Sequence, residues 1–195
     1  MTAKQKLLAF IYPFLIRFSG KAIILKNTSF IKPFKSFYDI PVVLNNNDVL
    51  QLNTLKGKKI LIVNTASDCG YTAQYKELQQ LYDQFKNQLI IIAFPSNDFK
   101  EQEKENDAAI LQFCQVNYNI RFHLAKKSQV VKGKGQHELF QWMTDKNLNG
   151  WNDQQPKWNF CKYLVNEEGT LTHYFDTAIT PVGREIKGAI SKGLF

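Results

Sequence analysis

The chain has 195 residues, of which 44% are hydrophobic and 22% are charged, a composition typical of a globular protein with a sizeable core. Its three cysteines form no Cys-x-x-Cys pair, which excludes the disulfide framework of a small secreted domain. No stretch has the roughly 18 apolar residues of a membrane-spanning helix. The three histidines are too scattered for a zinc site, so we expect neither a metal nor a bound cofactor.

Most of the net charge of +8 lies near the N-terminus. Residues 1–40 carry +6, whereas the other 155 residues carry only +2. A nucleic-acid-binding protein would interleave basic and aromatic residues across its fold, so no nucleic-acid partner is expected. The basic residues of this segment are Lys4, Lys6, Arg17, Lys21, Lys26, Lys32 and Lys35.

The first predicted element lies in an N-terminal extension, residues 1–35, which precedes a domain over residues 36–195. Two lysines come before the apolar run Leu7 to Ile16, and Arg17 follows it, a pattern that fits a helix lying on a membrane surface. Two alternatives stay open: a signal peptide, although no small-x-small cleavage site follows cleanly, and a helix packed on its own domain. We expect a cytoplasmic protein, with membrane association or periplasmic export as alternatives.

The domain begins with a strand and a helix. Residues 60–63 are all apolar and predict a strand buried on both faces. From about residue 72 to residue 86, large apolar side chains recur at helical spacing. These side chains are Tyr75, Leu78, Tyr82 and Phe85.

The later elements continue the alternation of strands and helices, and an antiparallel hairpin then interrupts it. Residues 89–94 predict a second buried strand, and helices follow at about 106–118 and 136–144. A hairpin over 160–166 and 170–175 and a last helix over 183–192 close the chain. Alternating strands and helices pair in parallel and the hairpin adds antiparallel strands, so we predict an α/β, thioredoxin-like fold with a central mixed sheet flanked by helices.

Cys69 lies between the first buried strand and the start of the following helix. Free N–H groups and the helix dipole favour negative charge at such a position, so the thiol should ionise easily. The thiolate is the reactive form of cysteine. A buried and inert cysteine is the alternative.

Three segments, in this order along the chain, resemble the motifs of the glutathione peroxidase family. The similarity runs from about residue 36 to the C-terminus, and three motifs in register are far more specific than any one of them. The segments are Asn64 to Thr72 around Cys69, Phe94 to Phe99 with Gln102-Glu103 after it, and Trp158-Asn159-Phe160 followed by Lys162 and Leu164-Val165.

The resemblance implies a selenium-free, cysteine-type peroxidase. The implied site contains Cys69, Gln102, Trp158 and Asn159. The two amides and the indole donate hydrogen bonds. Donors aimed at sulfur lower the pKa of the thiol, and they also stabilise charge on the leaving oxygen when the peroxide bond breaks.

The second motif departs from the family pattern. The family usually has Gly-Gly before the glutamine and Pro-Gly after the glutamate, where this chain has Lys100-Glu101 and Lys104-Glu105. Glycine adopts backbone conformations that other residues avoid, so these charged residues are expected to change the shape of the loop that carries Gln102.

The resemblance also implies a second functional thiol. Cys114 matches the place of the resolving cysteine in thioredoxin-dependent members of the family, where it converts the sulfenic acid of the first cysteine into a disulfide. Cys114 also lies on the apolar face of its helix, so a buried structural thiol is the alternative. Both interpretations hold if the helix unwinds locally, because a disulfide needs Cα atoms within about 7 Å. Cys161 is interpreted as a packed bystander.

We therefore expect an antioxidant thiol peroxidase that reduces hydrogen peroxide and organic or lipid hydroperoxides, with thioredoxin or glutathione as the reducing co-substrate. The alternative is a peroxide sensor or relay that passes its oxidation to a partner protein. The stretch Thr144 to Lys157 is too short for the insertion that tetrameric relatives use at their interface, so a monomer with an open site is expected.

Overall fold

The structure is a computed structural model, and it describes residues 2–18 and 22–191. The strands are β1 (Ile24–Lys26), β2 (Pro41–Val43), β3 (Val49–Gln51), β4 (Lys59–Thr65), β5 (Leu89–Pro95), β6 (His123–Leu124), β7 (Lys162–Val165) and β8 (Leu171–Phe175). The helices are α1 (Ala3–Phe18), α2 (Gln74–Phe85), α3 (Asp107–Tyr118), α4 (Glu138–Met143), α5 (Lys146–Asn149) and α6 (Arg184–Ser191). Short 3-10 helices cover Phe37–Asp39 and Leu52–Leu55.

Six strands form one mixed sheet in the order β1-β8-β7-β4-β5-β6. Strand β5, next to the edge strand β6, runs parallel to β4 and β6, and α2 and α3 provide the crossovers that parallel neighbours require. The predicted hairpin is β7–β8, and it pairs antiparallel with β4 on one side and with β1 on the other. The prediction of a central mixed sheet flanked by helices is therefore confirmed. Strands β2 and β3 form a separate hairpin.

The two faces of the sheet are covered by different layers. Ile60 and Ile62 of β4 belong to the cluster formed with α4 and the two 3-10 helices, whereas Leu61 and Val63 belong to the cluster formed with α2, α3 and α6. Side chains alternate along a strand, so a strand covered on both faces needs apolar residues throughout. Each fully buried side chain of this size contributes about 1.5–3 kcal/mol.

The predicted helices are present within two residues of their expected ends. Helix α3 begins after Asn106, whose side-chain oxygen accepts a hydrogen bond from the first turn at 3.0 Å. It ends at Asn119, which adopts the left-handed conformation common at helix C-termini. Of the last predicted helix, Lys192 lies outside the described residues.

The short strands β1, β2, β3 and β6 were not predicted, because a strand of two or three residues is too short to show a hydrophobic period. One of them, β1, lies in the segment that the sequence assigns to the N-terminal extension. Its residues pair with β8 at the edge of the main sheet. Further along, the N–H groups of Phe34 and Lys35 donate to the carbonyl of Leu148. The proposed boundary at residue 36 stays a prediction, because β1 and, through Gln5 and Ser67, α1 both contact the domain.

Candidate active site

Cys69 lies in the turn between β4 and α2 and is 1% exposed. The side chain of Thr72 organises this turn: its hydroxyl accepts from the N–H of Cys69 at 3.0 Å and lies 3.0 Å from the carbonyl oxygen of Ala66. The N–H of Thr72 in turn donates to the carbonyl of Cys69 at 3.1 Å. The sulfur therefore has a fixed position before α2 begins at Gln74.

Three polar groups surround the sulfur of Cys69. The backbone N–H of Tyr71 donates to it at 3.4 Å, and the side chains of Trp158 and Asn159 lie close enough to lower the pKa of the thiol. The amide nitrogen of Asn159 donates to Oε1 of Gln102 at 3.0 Å. The structure thus brings together the four residues that the sequence nominated, with Gln102 bonded to Asn159.

Burial raises the pKa of the Cys69 thiol above its ordinary value, although the donors from Tyr71, Trp158 and Asn159 lower it. The expectation of an easily ionised thiol is therefore wrong. Cys69 does not lie at the helix end: α2 begins five residues later, and the dipole effect falls off within one turn. Less of the thiol is ionised at neutral pH, and the thiolate that does form is intrinsically more nucleophilic.

Asn64, near the end of β4, holds the segment that carries the two donor side chains. Its amide nitrogen donates to the carbonyl of Trp158 at 2.9 Å, its side-chain oxygen accepts from the N–H of Cys161 at 3.1 Å, and its carbonyl accepts from the N–H of Phe160. Phe160 has a φ of 66°, a left-handed conformation that costs on the order of 1 kcal/mol or more for such a residue. The surrounding contacts maintain this strain beside Asn159.

The loop that carries Gln102 keeps left-handed backbone at the positions where the family has glycine. Lys100 and Glu101 have φ values of 51° and 52°. The carbonyl of Gln102 accepts from the N–H of Asp68 at 3.0 Å, which ties the loop to the Cys69 turn. The two charged residues therefore strain the backbone without preventing Gln102 from reaching Asn159.

Trp158 also contacts the strained loop. The ring of Phe99 lies 5.6 Å from the indole, and the ammonium of Lys100 lies 5.6 Å from the ring centroid. A cation over an indole face contributes about 0.5–1 kcal/mol at an exposed site. These contacts fix the orientation of Trp158. This role of Phe99 and Lys100 was not predicted from the sequence.

The other two cysteines lie on opposite faces of the sheet. Cys114 of α3 is fully buried in the same cluster as Cys69, beside the hydroxyl of Tyr75, and burial raises the pKa of its thiol to about 12. Cys161 belongs to the other cluster and accepts a hydrogen bond from the hydroxyl of Tyr174 at 3.3 Å. In the structure all three thiols are free.

Comparison with known proteins agrees with this geometry. A sequence model of the glutathione peroxidase family matches residues 37–144. The glutathione peroxidase homolog BsaA of Staphylococcus epidermidis is 40% identical over 159 residues, which cover 81% of this chain and 98% of the relative. This chain belongs to the glutathione peroxidase family. The glutathione peroxidase-like peroxiredoxin 2 of Saccharomyces cerevisiae is 36% identical over 80% of this chain and 98% of its own length.

Solved structures support the same assignment. The crystal structure of T. cruzi GPX1 superposes with a TM-score of 0.62 at 26% identity, covering 80% of this chain and 94% of the other. A thioredoxin family protein from Chlorobium tepidum, at 13% identity and a TM-score of 0.58, shares the fold alone. The predicted thioredoxin-like fold is confirmed. As a member of this family, the chain is a thiol peroxidase that consumes a hydroperoxide and a thiol reductant.

Trp158→Phe and Asn159→Ala should each slow the reaction of Cys69 with hydrogen peroxide. Each removes one donor to the sulfur, and the loss of one donor at such a site typically costs on the order of 10²-fold. Stopped-flow measurement of the second-order rate constant tests this, with circular dichroism to show that the fold is retained. Unchanged rate constants would mean that these side chains only pack.

Proposed function

We propose that this peroxidase reduces hydrogen peroxide and organic or lipid hydroperoxides at Cys69, with Gln102, Trp158 and Asn159 as its polar surroundings. The observation that carries the proposal is the convergence of the Tyr71 N–H and the side chains of Trp158 and Asn159 on one thiol.

In the proposed reaction the Cys69 thiolate attacks the terminal oxygen of the peroxide. An S–O bond forms as the O–O bond breaks, which oxidises the sulfur to a sulfenic acid and reduces the peroxide. The leaving oxygen takes up the proton that the thiol released and departs as water or an alcohol. The N–H groups of Trp158 and Asn159 stabilise the negative charge that develops around this step.

The oxidised Cys69 is then resolved by Cys114. Its thiol attacks the sulfenic sulfur, a disulfide forms and water leaves. In its buried position Cys114 is a poor nucleophile, because its pKa of about 12 leaves almost no thiolate. We propose that the outer turns of α3 open to expose it, which restores an ordinary pKa. Thioredoxin then reduces the disulfide by thiol exchange, with glutathione as the alternative reductant.

The reductant is identified by NADPH consumption in the presence of peroxide. Thioredoxin with thioredoxin reductase should support turnover at a higher rate than glutathione with glutathione reductase. The opposite order would assign glutathione. Stoichiometric oxidation of Cys69 without turnover in either system would favour the sensor or relay.

We also propose a monomer in the cytoplasm. Residues 144–157 hold only the four-residue helix α5 and connecting loops, which are too short for a long interface insertion. Free thiols persist in the reducing cytoplasm. Sedimentation equilibrium gives the mass in solution, and a tetramer would contradict the proposal.

We propose that α1 contacts a membrane surface. None of the helices in the described part of the chain is long and apolar enough to cross a bilayer. Helix α1 nevertheless presents Leu7, Phe10 and Phe14 at helical spacing, and these side chains are 58%, 74% and 58% exposed. Lys4 and Lys6 precede this apolar stripe and Arg17 follows it, as in helices that bind anionic lipid surfaces.

The full-length protein should float with anionic liposomes, whereas a variant lacking residues 2–21 should stay in the soluble fraction. This deletion removes α1 and leaves β1 in the sheet. The triple change of Leu7, Phe10 and Phe14 to serine should have the same effect, because it removes the apolar stripe and keeps the charge. Equal flotation of the full-length and shortened proteins would end this proposal.

A further inference from the structure

The buried carboxylate of Glu103 is hydrogen-bonded to the turn that carries Cys69. Glu103 has no exposed surface, and both of its oxygens bind Ser67. Oε1 accepts from the hydroxyl of Ser67 at 2.7 Å, and Oε2 accepts from its N–H at 2.9 Å. The preceding residue, Gln102, accepts from the N–H of Asp68. Two consecutive residues of the loop thus fix the two residues that precede Cys69.

The charges around Glu103 do not neutralise it. In the described residues no basic side chain lies within 4 Å of its carboxylate. Lys127 favours its ionised form from a distance, and Glu105 opposes it. The groups that interact with it from α2 and α3 are Tyr75 and Cys114, which are neutral at physiological pH. Burying a charge without a neighbouring cation costs free energy. A hydrogen bond that only stabilised the fold would not require a charged acceptor.

We propose that Glu103 is a positioning residue for the peroxide reaction: its ionised carboxylate holds the Ser67–Cys69 turn in the reactive arrangement, and its protonation loosens that hold. The inference rests on the proposed role of Cys69. Charged acceptors form hydrogen bonds roughly twice as strong as neutral ones, so the two protonation states hold Ser67 unequally.

The direction of the pH effect follows from the environment of the carboxyl group. Burial raises the pKa of Glu103 to about 7, while its bonds from Ser67 and the charge of Lys127 oppose the shift. Above pH 7 the carboxylate form prevails and the turn is held firmly. Fold stability has the opposite trend: because the folded pKa is raised, the contribution of Glu103 to stability is lost as pH rises through about 7.

The decisive measurement is a ratio of rate constants. Oxidation of Cys69 by hydrogen peroxide is followed by stopped flow between pH 5.5 and 8.5 for the wild type and for Glu103→Gln, which mimics the protonated carboxyl. The ratio of the two rate constants cancels the ionisation of Cys69 itself. We expect the wild type to be about tenfold faster at pH 8 and nearly equal at pH 5.5, with a midpoint near pH 7.

Two further variants provide a control and an alternative test. Glu105→Gln removes a nearby exposed carboxylate that makes no contact with the turn, and its ratio to the wild type should stay near one at pH 5.5 and at pH 8. Between these values its midpoint should lie below that of the wild type, because the charge of Glu105 raises the pKa of Glu103. Ser67→Ala removes one of the two bonds to Glu103 and should give a smaller ratio. Because that bond lowers the pKa of Glu103, the pH profile of this variant should have its midpoint above that of the wild type. Ser67→Ala serves as the test if Glu103→Gln does not fold.

A structural role alone would not produce this pH dependence. A ratio that is flat with pH, alongside a reactive wild type, would overturn the inference and leave the proposed function standing. Failure of the wild type to oxidise Cys69 at any pH would instead overturn the proposed function, and the inference with it. Glu103→Gln should also raise the melting temperature relative to the wild type at pH 8, because it removes a buried charge.

Discussion

A Cys69→Ser protein should lose at least about 10³-fold of its activity with every hydroperoxide. A serine hydroxyl at its ordinary pKa is a far weaker nucleophile than a thiolate, and it cannot form a sulfenic acid. The turn should survive the change, because Thr72 holds it through the backbone of Cys69. The coupled NADPH assay with purified protein measures the loss.

Cys161→Ser is the matched control for this experiment. Its thiol is equally buried, but it lies on the opposite face of the sheet, where the hydroxyls of Tyr174 and Thr177 can satisfy a serine. This variant should retain wild-type activity. Residual turnover above a few per cent in Cys69→Ser, with Cys161→Ser unaffected, would remove Cys69 from the mechanism.

A Cys114→Ser protein should consume one equivalent of peroxide and then stop. The first step should keep nearly its normal rate, because Cys69 and its donors are untouched. Without a resolving thiol the sulfenic acid should persist and drift to sulfinic acid under excess peroxide. Turnover with thioredoxin should fall by about 10²-fold or more, since no disulfide forms for it to reduce. Stopped-flow oxidation and the coupled assay separate the two steps.

Mass spectrometry of the oxidised wild type identifies the second thiol directly. We expect a disulfide between Cys69 and Cys114 within one molecule. Because Cys114 is buried within α3, amide hydrogen exchange in this helix should also increase on oxidation. A Cys69–Cys161 disulfide, or full thioredoxin-dependent turnover by Cys114→Ser, would show that Cys114 is not the resolving thiol.

Several features could be read from local sequence because they depend on neighbouring residues. Unbroken apolar runs predicted β4 and β5, since a strand covered on both faces needs such residues throughout. The side-chain cap at Asn106 marked the start of α3. The three motifs nominated Cys69, Gln102, Trp158 and Asn159, and the fold brings these residues together.

The properties of the site depended on contacts between distant parts of the chain. The pKa of Cys69 is raised because burial outweighs its donors, and burial is set by packing that no local pattern encodes. Lys100 keeps the left-handed backbone of a family glycine because its surroundings maintain the strain. Tertiary packing removes Glu103 from water and places its carboxylate against the Cys69 turn. The sequence by itself therefore determined which groups form the site, whereas only the tertiary structure decided how each one ionises, because solvent exposure and charge proximity exist only in the folded chain.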